Sequence, residues 1–261
     1  MEAPVPDPVL ELHNLTVVYD SKPALWNVDY EIPGEQLIGV VGPNGSGKST
    51  MLKAIMGLVQ PSSGYAKIYG KELHEVRRRI AYVPQRSSVD WDFPVSVFDT
   101  VLMGRYNPKN ILRRTTKKDK EIALEAIRRV QLEPFMNRQI SQLSGGQQQR
   151  VFIARALAQQ ADLYLLDEPF AGVDAATENG IMALLKQMKE EGKTIIVVHH
   201  DLQSVQDYFD WLILMNTRLI ATGPTQEIFN QELLEKTYGG QLNILSRVAE
   251  LIAKVEHPVR E

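Results

Sequence analysis

The eight residues Gly42-Pro43-Asn44-Gly45-Ser46-Gly47-Lys48-Ser49 constrain this 261-residue chain more than any other segment. They follow the apolar run LIGVVG, Leu37–Gly42, and lead into TMLKAIMGL, Thr50–Leu58, a stretch of helix formers. A buried strand, a turn with glycines at these offsets, an immediate Lys-Ser and a helix make the P-loop pattern in its required setting. Glycine admits backbone conformations that a Cβ would block. Successive amide N–H groups can then converge on phosphate oxygens, aided by the positive end of the helix dipole. Lys48 adds a point charge toward the β- and γ-phosphates, and the Ser49 hydroxyl is placed to ligate Mg²⁺. Residues Gly42 through Thr50 are thus the first candidate nucleotide contacts.

Short apolar, β-branched runs recur between helical patterns: RIAYVP at Arg79–Pro84, LYLLDE at Leu163–Glu168, TIIVVH at Thr194–His199 and WLILM at Trp211–Met215. Runs buried on both faces and alternating with helices predict a largely parallel sheet in an α/β fold. The earlier segments Leu10–Tyr19 and Ala24–Pro33 alternate polar with apolar residues and predict antiparallel strands with one exposed face. From Gln85 to Gln159 the strand signal disappears. Ile122, Leu124, Ala126, Ile127 and Val130 recur there at helical intervals, predicting an inserted helical subdomain. The expected organisation is a single domain with its core over about 8–85 and 160–225, helices over about 86–159, and a helical tail over 226–261. In that tail Leu245, Val248, Leu251, Ile252 and Val255 form an apolar stripe expected to dock.

The run ending at Leu166 delivers Asp167 and Glu168 to the carboxyl end of a strand, where open α/β sheets bind ligands. Successive strand side chains point opposite ways, so the two acids can divide the work. Asp167 would hold Mg²⁺ and Glu168 would polarise an attacking water as general base, the Walker B arrangement.

Leu143-Ser144-Gly145-Gly146-Gln147 precedes a strong helix former, which puts Ser144 and two glycines where a helix exposes unpaired N–H groups. With LSGGQ about 95 residues after the P-loop and 20 before Asp167, the sequence resembles the ATP-binding-cassette (ABC) ATPases over roughly residues 10–225. The resemblance implies a P-loop NTPase core with an antiparallel β subdomain and an inserted helical subdomain, hydrolysing ATP with Mg²⁺. It implies that Tyr19, at the end of the second strand, stacks on adenine. It further implies that Gln85 senses metal and water, that Asp174 is the acid crossing a dimer interface, and that His200, directly before Asp201, contacts the γ-phosphate. Lys48, Gln85, Glu168 and His200 are the catalytic candidates, and Ser49, Gln85 and Asp167 the metal ligands. Ser144, Gly145, Gly146 and Gln147 are expected to cap ATP held by a second copy in a head-to-tail homodimer.

The stretch Ser87–Arg105, with Asp90-Trp91-Asp92-Phe93-Pro94-Val95 and Met103-Gly104-Arg105, resembles the bacterial manganese/zinc/iron import branch. There this surface receives a cytoplasmic helix of an integral-membrane permease, and a periplasmic or lipoprotein metal-binding protein belongs to the same system. The alternative is a soluble ABC ATPase of an assembly complex, such as iron–sulphur cluster assembly. Ribosome-associated and DNA-repair types fit poorly, since one cassette stands here with an ordinary gap between P-loop and signature.

Composition narrows the rest. A net charge of −3 gives no whole-molecule attraction to a nucleic-acid backbone. Without cysteine there is no disulfide, thiolate metal site or thiol nucleophile. The start, MEAPVPDPVLEL, has no signal-like apolar stretch, and no run approaches about 18 apolar residues, so the expected place is peripheral, on the cytoplasmic face of the membrane. The basic stretch Lys109–Lys120 is expected to be a solvated helix start, with anionic lipid contact as the other reading.

Overall fold

The computed structural model describes residues 7–106 and 115–239. The chain divides into two compact units, Met1–Arg77 with Thr194–Glu261, and Arg78–Lys193. The expected apolar stripe at Leu245–Val255 and the basic residues Lys109, Arg113 and Arg114 lie outside the described residues.

In the first unit, β1 (Leu10–Tyr19) and β2 (Lys22–Ile32) form an antiparallel hairpin. Asp20 and Ser21 both take positive φ, 45° and 67°, the geometry of a two-residue turn that matches strand twist. Tyr19 pairs with Lys22 and therefore closes the first strand, not the second. The expected alternation places Leu10, Leu12, Leu15 and Val17 in the core. β3 (Leu37–Val41) is buried at all five positions and leads through the glycine loop to α1 (Lys48–Ile55). β4 (Ser63–Ile68) pairs antiparallel with the other edge of β1, and α2 (Leu73–Val76) follows.

The second unit opens with β5 (Ile80–Val83). Next come α3 (Val97–Leu102), α4 (Lys117–Arg129) and α5 (Gly145–Gln159), which pack on one another. β6 (Leu163–Asp167) pairs in parallel with β5, and α6 (Ala175–Glu190) ends the unit. The inner face of α4 is Asp119, Ala123, Ala126 and Ile127. Ala126, Ile127 and Val130 of the expected stripe are buried, whereas Ile122 and Leu124 are only half-buried, because Ala123 between them takes the inner position. Asp119 is tolerated inside because Arg105 Nε lies 3.2 Å from its carboxylate and the Thr116 hydroxyl donates to it at 2.7 Å.

The chain then returns to the first unit with β7 (Thr194–Val198), α7 (Val205–Tyr208), β8 (Trp211–Asn216), β9 (Arg218–Pro224), α8 (Thr225–Ile228) and α9 (Gln231–Tyr238). β3 lies between β7 and β8, parallel to both, and β9 is antiparallel to β8. This is the predicted α/β fold. The phosphate loop leaves the carboxyl end of a central strand, where ligands bind in such sheets. Among the described residues no helix is long and apolar enough to cross a membrane.

Candidate active site

The glycine loop is built by its backbone. A Cβ on Gly42 would stand 2.0 Å from the Met215 carbonyl oxygen, and one on Gly47 would stand 2.3 Å from that of Ala24. Gly45 and Gly47 also hold φ of 79° and 94°, values that side-chain-bearing residues seldom adopt. Gly47 caps α1 without any side-chain hydrogen bond, so no side-chain oxygen of the cap occupies the helix start. Lys48 is buried, and its ammonium donates to the Gly42 and Pro43 carbonyls, both at 2.8 Å. The Ser46 hydroxyl is buried without a hydrogen-bond partner. A pre-folded cation and an orphaned buried hydroxyl in one loop fit an anionic oxygen-rich ligand. Ser49 and Thr50 follow, half-buried, in the first turn of α1.

Two further candidates lie in the first unit. Tyr19 is 47% exposed at the hairpin tip, its ring open to solvent. The paired histidines differ sharply: His200 is exposed, whereas His199 is buried and its Nε2 lies 2.8 Å from the Ser204 hydroxyl. Burial pushes the His199 imidazole down to about 4, so it is neutral at pH 7.

The second unit carries the acids. β6 delivers Asp167 fully buried, and the Tyr82 hydroxyl donates to its carboxylate at 3.3 Å. Burial, then the Asp167 charge, pushes the Tyr82 phenol upward, so it stays a donor. Glu168 lies one residue beyond the strand at φ 50°, so strand alternation does not set its direction. The separation of the two acids comes instead from a left-handed residue at the strand end. The Gln85 side-chain amide donates to the Glu168 carboxylate at 2.8 Å. Gln85 thereby holds Glu168 and keeps its own carbonyl oxygen as a hard donor.

At the signature, Ser144 caps α5, accepting from the Gln147 amide at 3.4 Å while the Gln147 side chain accepts from the Ser144 N–H at 2.9 Å. Gln147 therefore completes a capping box. Gly145 and Gly146 form the first turn of α5, without positive φ. Asp174 caps α6 and accepts from the Thr177 amide at 2.8 Å, with its carboxyl held below the usual range by that bond and by the Thr177 hydroxyl. In the Ser87–Arg105 segment Trp91 is half-buried, edge-on to Phe152 at 5.0 Å, while Phe93 and Met103 are at least half exposed.

Sequence reasoning missed Tyr82, which faces Asp167 only because β5 and β6 pair with Tyr82 opposite Leu165. It also missed Arg86 and Gln148, which hydrogen-bond across 62 residues. Among the described residues no cluster of three His, Cys, Asp or Glu side chains is placed to hold a metal. Within the second unit, the Asp167 carboxylate and the Gln85 side-chain oxygen are hard oxygen donors of the kind that suits Mg²⁺.

Residues 25–171 match the family model described as ABC transporter. The chain is 58% identical over 236 residues to the manganese transport system ATP-binding protein MntB of Bacillus subtilis (strain 168), covering 90% of this chain and 94% of the relative. It is 54% identical over 234 residues to the zinc transport system ATP-binding protein TroB of Treponema pallidum (strain Nichols), covering 90% and 88%. Its fold is similar, at TM-score 0.72 and 32% identity, to a dimeric post-hydrolysis state of the ATP-binding cassette MJ0796 bound to ADP and Pi, covering 82% of this chain and 98% of that one. A glycine loop shaped for phosphate, a buried Asp, a Glu held by a Gln and these likenesses place the chain in the ABC transporter family, as one of its ATP-hydrolysing cassettes.

Proposed function

We propose that this chain powers import of a transition-metal ion, manganese, zinc or iron, through an integral-membrane permease on separate chains, working as a pair of cassettes on the cytoplasmic face of the membrane. The transport-system names of the relatives support this reading and do not favour the assembly-ATPase alternative. A metal-binding protein that delivers the cargo belongs to the same reading.

The amides of Gly45 to Ser49 hold the phosphates, and Lys48 exchanges its two loop carbonyls for phosphate oxygens. Ser49, Asp167 and Gln85 would hold Mg²⁺, which supplies charge neutralisation to the phosphoryl oxygens. Glu168 takes the proton of the attacking water, and Gln85 fixes the direction of that carboxylate. The 2.8 Å Gln85–Glu168 bond is the observation that carries this assignment, because a general base must be aimed before it can act. Exposed His200 meets the γ-phosphate, and Tyr19 stacks on the base. Ser144, Gly145 and Gly146 seal the nucleotide bound to the other copy, with Asp174 at the same interface.

In Glu168→Gln, nucleotide binding is expected to persist while steady-state hydrolysis falls by about 10²–10⁴-fold and an ATP-bound dimer accumulates on gel filtration. Wild-type turnover by that variant would overturn the assignment. For the cargo, the intact transporter in liposomes should accumulate radioactive manganese or zinc only with internal ATP.

A further inference from the structure

Arg86 directly follows Gln85, yet its guanidinium serves the signature helix. Its Nε and Nη2 both donate to the Gln148 side-chain oxygen, at 3.1 and 3.0 Å. Gln148 is buried and uses its remaining amide to donate to the Ile140 carbonyl at 3.1 Å. The guanidinium also packs against the first residue of α5, where a Cβ on Gly145 would stand 3.1 Å from Arg86 Cζ. Trp91 lies close by, with Arg86 Cζ 6.0 Å from the ring centroid, and the Trp91 indole N–H donates to the Arg86 carbonyl at 2.9 Å.

A cation beside a helix N-terminus opposes the helix dipole, so the two bonds to Gln148 and the Trp91 ring offset a charge that the helix start itself disfavours. An anion that meets the same N-terminus reverses that sign, because the guanidinium then raises the positive potential the signature presents. We infer that Arg86 is a positioning residue that seats the start of α5 and tunes it for the phosphates of the nucleotide on the other cassette. Arg86 thereby governs ATP-driven pairing and not ATP capture by a single chain. Because Gln85 and Arg86 are adjacent, one short segment aims the general base and sets the signature. This inference rests on the reading above that the signature seals a partner's nucleotide.

The test uses the full chain in the Glu168→Gln background, with Arg86→Ala, Arg86→Lys and Gln148→Ala added singly. Fluorescent-nucleotide titration reads single-cassette affinity, light scattering reads the ATP concentration for half-maximal pairing, and thermal melting reads fold integrity. Affinity should stay within about twofold. The ATP concentration for pairing should rise by at least about tenfold in Arg86→Ala, and less in Arg86→Lys, which keeps the charge but loses the fork. Gln148→Ala should shift it in the same direction. Pairing unchanged in an Arg86→Ala protein that melts normally would overturn the inference, as would equal losses in affinity and pairing. Should Arg86→Ala fail to fold, the Arg86→Lys shift decides. A Glu168→Gln protein that stays monomeric with ATP while Arg86 is intact sinks the pairing reading itself, an outcome distinct from loss of the Arg86 effect alone.

Discussion

The phosphate loop and the signature are both glycine-bearing segments at a helix start, yet they are built by opposite means. In the phosphate loop, backbone does the shaping: Gly47 has φ 94°, and a Cβ there would meet a carbonyl oxygen. In the signature, side chains do it: Gly145 and Gly146 have no positive φ, and a Cβ on them would meet the Arg86 and Thr177 side chains, each at 3.1 Å. One cap has no side-chain oxygen; the other is a complete capping box. A backbone-built site is rigid and intolerant, whereas a side-chain-built site can yield and be retuned.

The sharpest way to break this contrast is Gly47→Ala. Left-handed strain of about 1–3 kcal/mol plus a backbone clash should lower ATP affinity roughly 100-fold in titration, with no single second-site change restoring it. Near-normal affinity would show the loop to be softer than its geometry says.

Acid separates the two units next. His199 lies in the first unit, and the second, Arg78–Lys193, contains no histidine. Burial lowers the folded-state value of His199 from 6.5 to about 4, so the stability it contributes is full above pH 6.5 and is lost as pH falls toward 4. The expected loss is roughly 3 kcal/mol by urea titration, absent in His199→Gln. In the second unit, Asp162 is held below its ordinary range by its bonds to Arg79 and Lys193 despite the opposing effect of burial, so its stabilisation fades only at lower pH.

Gly146→Ala should leave single-cassette ATP affinity unchanged while turnover falls about tenfold, roughly 1.4 kcal/mol. Adding Thr177→Ser removes the obstructing methyl, keeps the hydroxyl bonded to Asp174, and should recover most of the rate. Failure of that rescue would put backbone in control here too. The smallest effect is on stability in Ser144→Ala: loss of the cap should cost about 1 kcal/mol, a fall in Tm of about 2–4 °C.

Much of this was legible in the sequence because it follows local rules. The P-loop needs only a strand, glycines at fixed offsets and a helix, and the apolar runs at Leu37 and Thr194 have the length and composition of strands buried on both faces. What was hidden depends on register between distant segments. Tyr82 donates to Asp167 because β5 and β6 pair, and Arg86 finds Gln148 because α5 packs nearby. Within α4, small Ala123 and charged Asp119 occupy the inner face that periodicity assigned to larger residues, since Arg105 and Thr116 neutralise the acid. The break after Tyr19 was legible in the alternation, and Tyr19 closes the first strand of the hairpin, not the second.

The left-handed backbone at Glu168 has a consequence for any attempt to toughen this protein. Asparagine or glycine would rest there more comfortably, by about 1 kcal/mol, so a screen that rewards heat resistance alone would drift toward them. With Glu168 as the proposed general base, each such winner would survive the oven and be unable to burn its fuel.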